Sequence, residues 1–141
     1  MTSGGNGAKN AFEILRECRE REKAQTLFYR ALAAEAELQG ASDTAERLNA
    51  LHADEQHHLS RVTARILELG AEPADLSELE SSVVPLAEWE DEARRREEEE
   101  VNWYQELLLS DMDSVTRGIF GEILESEKHH RRELGGKWMP A

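Results

Sequence analysis

Scarcity sets the first limits on this sequence. A single cysteine, Cys18, in 141 residues leaves no internal disulfide and no four-thiolate iron or zinc centre for the chain to build alone, and it fits a reducing compartment. Basic residues are outnumbered, 17 Lys and Arg against 30 Asp and Glu. The formal charge of −13 opposes binding to nucleic-acid phosphates or anionic membrane surfaces and favours cations. No stretch approaches the roughly 18 consecutive apolar residues of a membrane span. Residues Met1 to Gly5 carry neither the basic nor the apolar region of a secretory signal. A cytoplasmic protein, with neither nucleic acid nor membrane as partner, is the expectation.

A chain of this length supports one domain around one core. Residues 1 to 10 are small and polar and are expected to be flexible. Apolar residues then recur at helical spacing from Ala11 to Gln39, after which Gly40, Ser42 and Asp43 supply a stop and a new N-cap. A second helix is predicted from Asp43 to Leu69, ended by Gly70 and kept from continuing by Pro73. Two of the three prolines, Pro73 and Pro85, fall within residues 70 to 85, which also lack a long amphipathic stripe. That segment reads as a crossover with a short helical turn near Leu76 to Leu79, and sixteen extended residues reach roughly 50 Å, enough to traverse a bundle. Helix three is predicted over Leu86 to Leu109, a turn over Ser110 to Asp113, and helix four over Ser114 to Leu134 before Gly135 and Gly136. Four long helices joined short, long, short define an all-α four-helix bundle over residues 11 to 134, followed by a tail, residues 135 to 141.

Successive helical residues turn by about 100°, so the inward stripe of each helix can be tested for polar members. On helix one, Glu22 falls within about 40° of Leu15, Cys18, Thr26, Tyr29 and Ala33, whereas Glu13, Glu17 and Glu20 point away. On helix three, Glu97 shares the direction of Ala93, Val101 and Tyr104; Glu98 and Glu99 turn outward, and Glu100 on the flank is the fallback. Glu55 lies on the stripe of Leu48, Leu51, Leu59, Val62, Ile66 and Leu69, with His58 three residues on. Helix four repeats the pair, Glu127 among Thr116, Phe120, Ile123 and Leu134, followed by His130. The duplication extends to Tyr29 and Tyr104, each seven residues after the single Glu of its half.

Four buried, unpaired carboxylates are costly, and two divalent cations would compensate them. Carboxylate and imidazole donors suit Fe or Mn, and three residues of helix rise about 4.5 Å, which lets a Glu and its His reach one ion. A Glu from each of two helices plus Glu-x-x-His from each of the other two is the pattern of ferritin-like di-metal proteins.

These residues, Glu22 to Tyr29, Glu55 with His58, Glu97 to Tyr104 and Glu127 with His130, resemble the rubrerythrin-like branch of the ferritin-like superfamily. The resemblance implies a ferritin-like four-helix bundle with a long crossover between helices two and three. It implies that Glu22, Glu55, His58, Glu97, Glu127 and His130 hold two Fe ions, with Mn or a mixed Fe/Mn pair as alternatives. Expected reactants are dioxygen or peroxide, with electrons from an external donor protein, because the chain lacks the four cysteines of a rubredoxin domain. A homo-oligomer is expected. An iron-handling ferroxidase and a metal-free interaction bundle are the competing readings.

Several residues have plainer uses. Tyr29 and Tyr104 are either core aromatics or donors to a metal-bound carboxylate. Cys18 reads as a small core residue, His57 and His129 as surface groups, and His52 as core-edge packing. Trp138 and Met139 suggest that the tail packs on the bundle or at an oligomer contact.

Overall fold

The computed structural model describes residues 10 to 134; of the expected flexible segment, residues 1 to 10, only Asn10 falls within them, and the tail from residue 135 lies outside. Four helices account for the architecture: α1, Ala11–Leu38; α2, Ser42–Glu68; α3, Trp89–Leu107; and α4, Ser114–Arg132. No strand occurs among the described residues. No helix among them is long and apolar enough to cross a membrane.

Helix boundaries follow local chemistry. Asn10 starts α1 with a reciprocal capping box, its side chain accepting from the Glu13 N–H while Glu13 accepts from the Asn10 N–H. Gly40 and Gly70, at φ of 71° and 82°, end α1 and α2 in the left-handed conformation. At each stop the glycine N–H and the next residue's N–H reach back to the carbonyls of the last turn (Glu37 and Ala36, then Leu67 and Ile66), closing Schellman motifs. The first stop leaves no room for the predicted Ser42 or Asp43 cap. Ala41 completes the α1 motif and at once serves as the α2 N-cap, without a side-chain bond. Leu69, predicted on the apolar stripe, is 43% exposed because it lies past the last turn of α2. Helix three enters through a 3-10 turn, Leu86–Glu88, rather than as α-helix from Leu86, and the predicted turn near Leu76 is a single Leu79 N–H to Leu76 carbonyl bond. Asp113 caps α4 by accepting from the Thr116 N–H, and Arg117 donates to the Leu108 and Ser110 carbonyls, tying the α3–α4 turn.

α1 packs on α2 and α3 on α4. Side-chain pairs Cys18–Tyr104, Arg21–Glu100 and Gln25–Glu97 run α1 antiparallel to α3. Asp54–His130, Arg61–Glu122 and Arg65–Asp113 do the same for α2 and α4. The crossover therefore travels the length of the bundle beside α1, with Arg19 donating to the Ala74 carbonyl and Ser81 to the Leu27 carbonyl.

The interior divides into layers. One apolar cluster contains Leu15, Cys18, Val62, Ile66, Val101, Tyr104, Phe120 and Ile123. The other contains Phe28, Tyr29, Ala33, Leu48, Leu51, Trp89, Ala93 and Leu134. On every helix the Glu and His positions picked out by the stripe test lie between the two clusters, accompanied by buried Gln25 and Thr26 on α1, Leu59 on α2 and Glu100 on α3.

Candidate metal centre

α1 supplies Glu22, α2 supplies Glu55 and His58, α3 supplies Glu97, and α4 supplies Glu127 and His130. All four glutamates are completely buried, and His58 and His130 retain only 5% and 1% exposure. Their donor atoms fall into two overlapping groups, Glu22, Glu55, His58 and Glu127, and Glu55, Glu97, Glu127 and His130, with the atoms of each group within 4.8 Å of one another. Glu55 and Glu127 belong to both.

The two groups are related by an approximate two-fold. His58 Nδ1 lies 3.1 Å from Glu55, 3.4 Å from Glu22 and 3.6 Å from Glu127. His130 Nδ1 lies 3.1 Å from Glu127, 3.5 Å from Glu55 and 3.6 Å from Glu97. The tyrosines cross over: Tyr29 donates to Glu97 Oε2 at 2.6 Å, and Tyr104 donates to Glu22 Oε2. Each phenol fixes the carboxylate contributed by the opposite half of the sequence. The symmetry continues outward, where Arg21 stacks over Trp103 and Arg96 over Phe28, with guanidinium carbons 4.6 and 4.3 Å from the ring centroids.

Electrostatics record the crowding. Burial, then the charge of Glu55, raises the Glu22 carboxyl to about 8. Burial and neighbouring carboxylates also push Glu127 and Glu97 upward. Burial would likewise raise Glu55, but hydrogen bonding to His130 and His58 outweighs it and holds this carboxyl well below its ordinary range. Burial disfavours a charged His58, yet its contacts with Glu127, Glu22 and Glu55 win and lift it to about 12. His130 is raised in the same way, with Asp54 as its strongest partner. In the absence of cations, protons balance this layer.

One oxygen on each of the four glutamates, Glu22 Oε1, Glu55 Oε2, Glu97 Oε1 and Glu127 Oε2, is buried without a hydrogen-bond partner. Buried carboxylate oxygens without donors are rare because they forfeit hydration. Four of them converging with two imidazoles fit a pair of hard or borderline divalent cations.

All six predicted residues are brought together. Glu100, the fallback, is also buried, but its carboxylate meets Arg21 at 3.0 Å and joins neither group. His57 and His129 are exposed and His52 half-buried. Cys18 is buried in the apolar layer, with Sγ 3.0 Å from the Tyr104 hydroxyl; burial, chiefly, pushes its thiol up. Sequence reasoning missed Asp54, 2.8 Å from His130 Nε2, and Gln25, which donates to Glu97 Oε2 at 3.3 Å. Asp54 lies about 100° around the helix from Glu55, so the stripe test discards it. Its partner sits on another helix.

Layered helices, the long crossover and the position of this polar layer define a ferritin-like four-helix bundle. Among solved structures the chain is similar to Mycobacterium tuberculosis bacterioferritin, BfrA, with a TM-score of 0.77 over 88% of this chain and 80% of that one, at 19% identity. The likeness supports the ferritin-like fold and does not single out the rubrerythrin-like branch. No protein-family model matches the chain, and no curated protein matches it.

Proposed function

We propose that the protein is a di-iron carboxylate protein that oxidises ferrous iron, with dioxygen or peroxide as electron acceptor. The observation that carries this reading is the set of four unpartnered, buried carboxylate oxygens gathered with two imidazole nitrogens between apolar layers. A metal-free interaction bundle would gain nothing from so costly a layer. The likeness to a protein named a bacterioferritin favours iron over other cations of similar chemistry, although the same donors accept Mn or a mixed Fe/Mn pair.

In this reading Glu55 and Glu127, common to both groups, would serve both ions, and Glu22 with His58 and Glu97 with His130 would each serve one. Two ferrous ions held there would supply two electrons, enough to reduce dioxygen to hydrogen peroxide or peroxide to water. Tyr104 and Tyr29 orient Glu22 and Glu97, and the imidazoles release their protons so that Nδ1 can act as a ligand. The apolar layers keep bulk water from the centre. A homo-oligomer belongs to the same proposal.

A rubrerythrin-like reductase of peroxide or dioxygen, fed by an external donor protein, is the second reading, favoured by the mirrored tyrosines, each beside an aromatic that stacks on an arginine. Anaerobic ferrous ion added to apo protein and then exposed to dioxygen or peroxide separates the two. Net ferrous oxidation without added reductant supports the first. Sustained peroxide consumption that requires a reductant supports the second, and an unaccelerated rate with both oxidants removes both.

A further inference from the structure

The two-fold is broken at two places, and both breaks favour the same half. Aligning α1 on α3 through Glu22 and Glu97, and α2 on α4 through Glu55 and Glu127, sets Gln25 against Glu100 and Asp54 against Ser126. In the half built on Glu97 and His130, Asp54 Oδ2 lies 2.8 Å from His130 Nε2. Gln25 donates to Glu97 Oε2 and is itself held by Arg96, which donates to its Oε1 at 2.7 Å. Both terminal groups of that half therefore have a partner behind them. The half built on Glu22 and His58 keeps its tyrosine, Tyr104, but has no counterpart of Asp54 or Gln25. Ser126 replaces the aspartate, and His58 Nε2 has no partner among the described residues. Glu100 replaces the glutamine and makes no hydrogen bond to Glu22; its carboxylate meets Arg21 at 3.0 Å instead. His58 also lines a cleft of about 210 Å³ at the α2–α4 surface, together with Asp54, His57, Ser126, Ile123 and the Arg61–Glu122 ion pair.

We infer that the two halves of the centre are unequal: the Glu97–His130 half fills first and holds its ion firmly, and the Glu22–His58 half takes the second, exchangeable ion. This rests on the di-metal reading above. An aspartate behind a ligating histidine selects the tautomer with the proton on Nε2 and leaves the Nδ1 lone pair aimed at the ion, so less ordering remains at the moment of binding. Removing such a partner costs 10- to 100-fold in affinity as an order of magnitude. Asp54 and Gln25 are positioning residues here, acting through His130 and Glu97. In the other half His58 must find its tautomer unaided, beside a cleft open to solvent. Exchange through that cleft is the consequence, and under the ferroxidase reading the ion exchanged there is the ferrous substrate.

Anaerobic titration of apo protein with Co(II), followed by visible absorption and by heat, tests the inequality without any turnover. Two resolved steps are expected, with dissociation constants separated by about 10-fold or more. His58→Ala keeps the tight step and His130→Ala abolishes it. Asp54→Asn narrows the separation by weakening the tight step, and Ser126→Asp narrows it from the other side by strengthening the weak one. Two equivalent steps in the unaltered protein, or a tight step that survives His130→Ala, overturns the inference while leaving the di-metal reading in place. A protein that takes up no Co(II) at all overturns both.

Discussion

The apolar layers and the charged layer between them occupy the same bundle and obey opposite energetics. Residues such as Phe28, Leu48, Phe120 and Ile123 leave water almost entirely and repay it at roughly 25 cal/mol per Å² of apolar surface. Glu22, Glu55, Glu97 and Glu127 leave water just as completely, yet each keeps an oxygen without a hydrogen bond to replace its hydration. Burial therefore means stability in one layer and a liability in the other. A folded chain that tolerates the second has its first built to support it.

Truncation in each layer should break the comparison most clearly. Phe28→Ala should destabilise the apo protein by about 3–5 kcal/mol, the usual range for a fully buried aromatic. Glu127→Gln, equally buried and nearly isosteric, should leave apo stability unchanged or raised, since it removes a group whose charged form burial penalises. Denaturant unfolding of the two apo variants against the unaltered protein measures both. Equal losses would mean that the layers are not energetically distinct.

Next in size is the dependence on pH. Glu22, raised from 4.5 to about 8, and His58, raised from 6.5 to about 12, hold protons in the folded apo protein that the unfolded chain has released. Glu97, Glu127 and His130 shift in the same direction. Wherever the native state binds more protons, stability falls as pH rises, by about 1.4 kcal/mol per pH unit for each extra proton. The carboxyl contribution is lost from about 4.5 upward through 8, and that of His58 from 6.5 upward. Glu55, lowered instead, works against stability only on the acid side of 4.5. Apo protein should therefore lose thermal stability steadily between about pH 5.5 and 8. Metal-loaded protein should not, because cations require the deprotonated donors and release protons on binding. Thermal scans of both forms across this window provide the comparison.

A smaller effect should sharpen the picture at the boundary between layers. Tyr104→Phe keeps the ring in its apolar layer but removes the donor to Glu22 and the contact with Cys18. The loss should be about 1–3 kcal/mol, the cost of leaving a buried acceptor unsatisfied. It should grow as pH rises through about 8, where Glu22 gives up its proton and is left without its donor. A loss that does not change with pH would mean that Tyr104 only packs.

How much of this was legible in the sequence follows from range. Glycine stops at Gly40 and Gly70 are local, and both appear as Schellman closures. The inward stripes are local as well, and they pointed to Glu22, Glu55, Glu97 and Glu127, which lie at the junction of the two cores. Duplication set each tyrosine seven residues after the Glu of its half without saying which carboxylate it reaches, and the contacts run between halves, Tyr29 to Glu97 and Tyr104 to Glu22. Crossing of that kind depends on α1 and α3 lying antiparallel, which no single helix encodes. Asp54 escaped for the same reason, reaching its histidine from outside the stripe. The Ala41 cap was hidden because two motifs share one residue.

The central claim is that the charged layer holds two cations. It is tested most directly by elemental analysis of protein purified from iron-replete cells without added metal, alongside Glu55→Ala, Glu127→Ala, Glu97→Ala and the exposed control Glu98→Ala. The account predicts two iron or manganese ions per chain in the unaltered protein and in Glu98→Ala, near-complete loss in Glu55→Ala and Glu127→Ala, and marked loss in Glu97→Ala. Metal-free protein that cannot be loaded, or two tightly bound ions retained in both Glu55→Ala and Glu127→Ala, would contradict it.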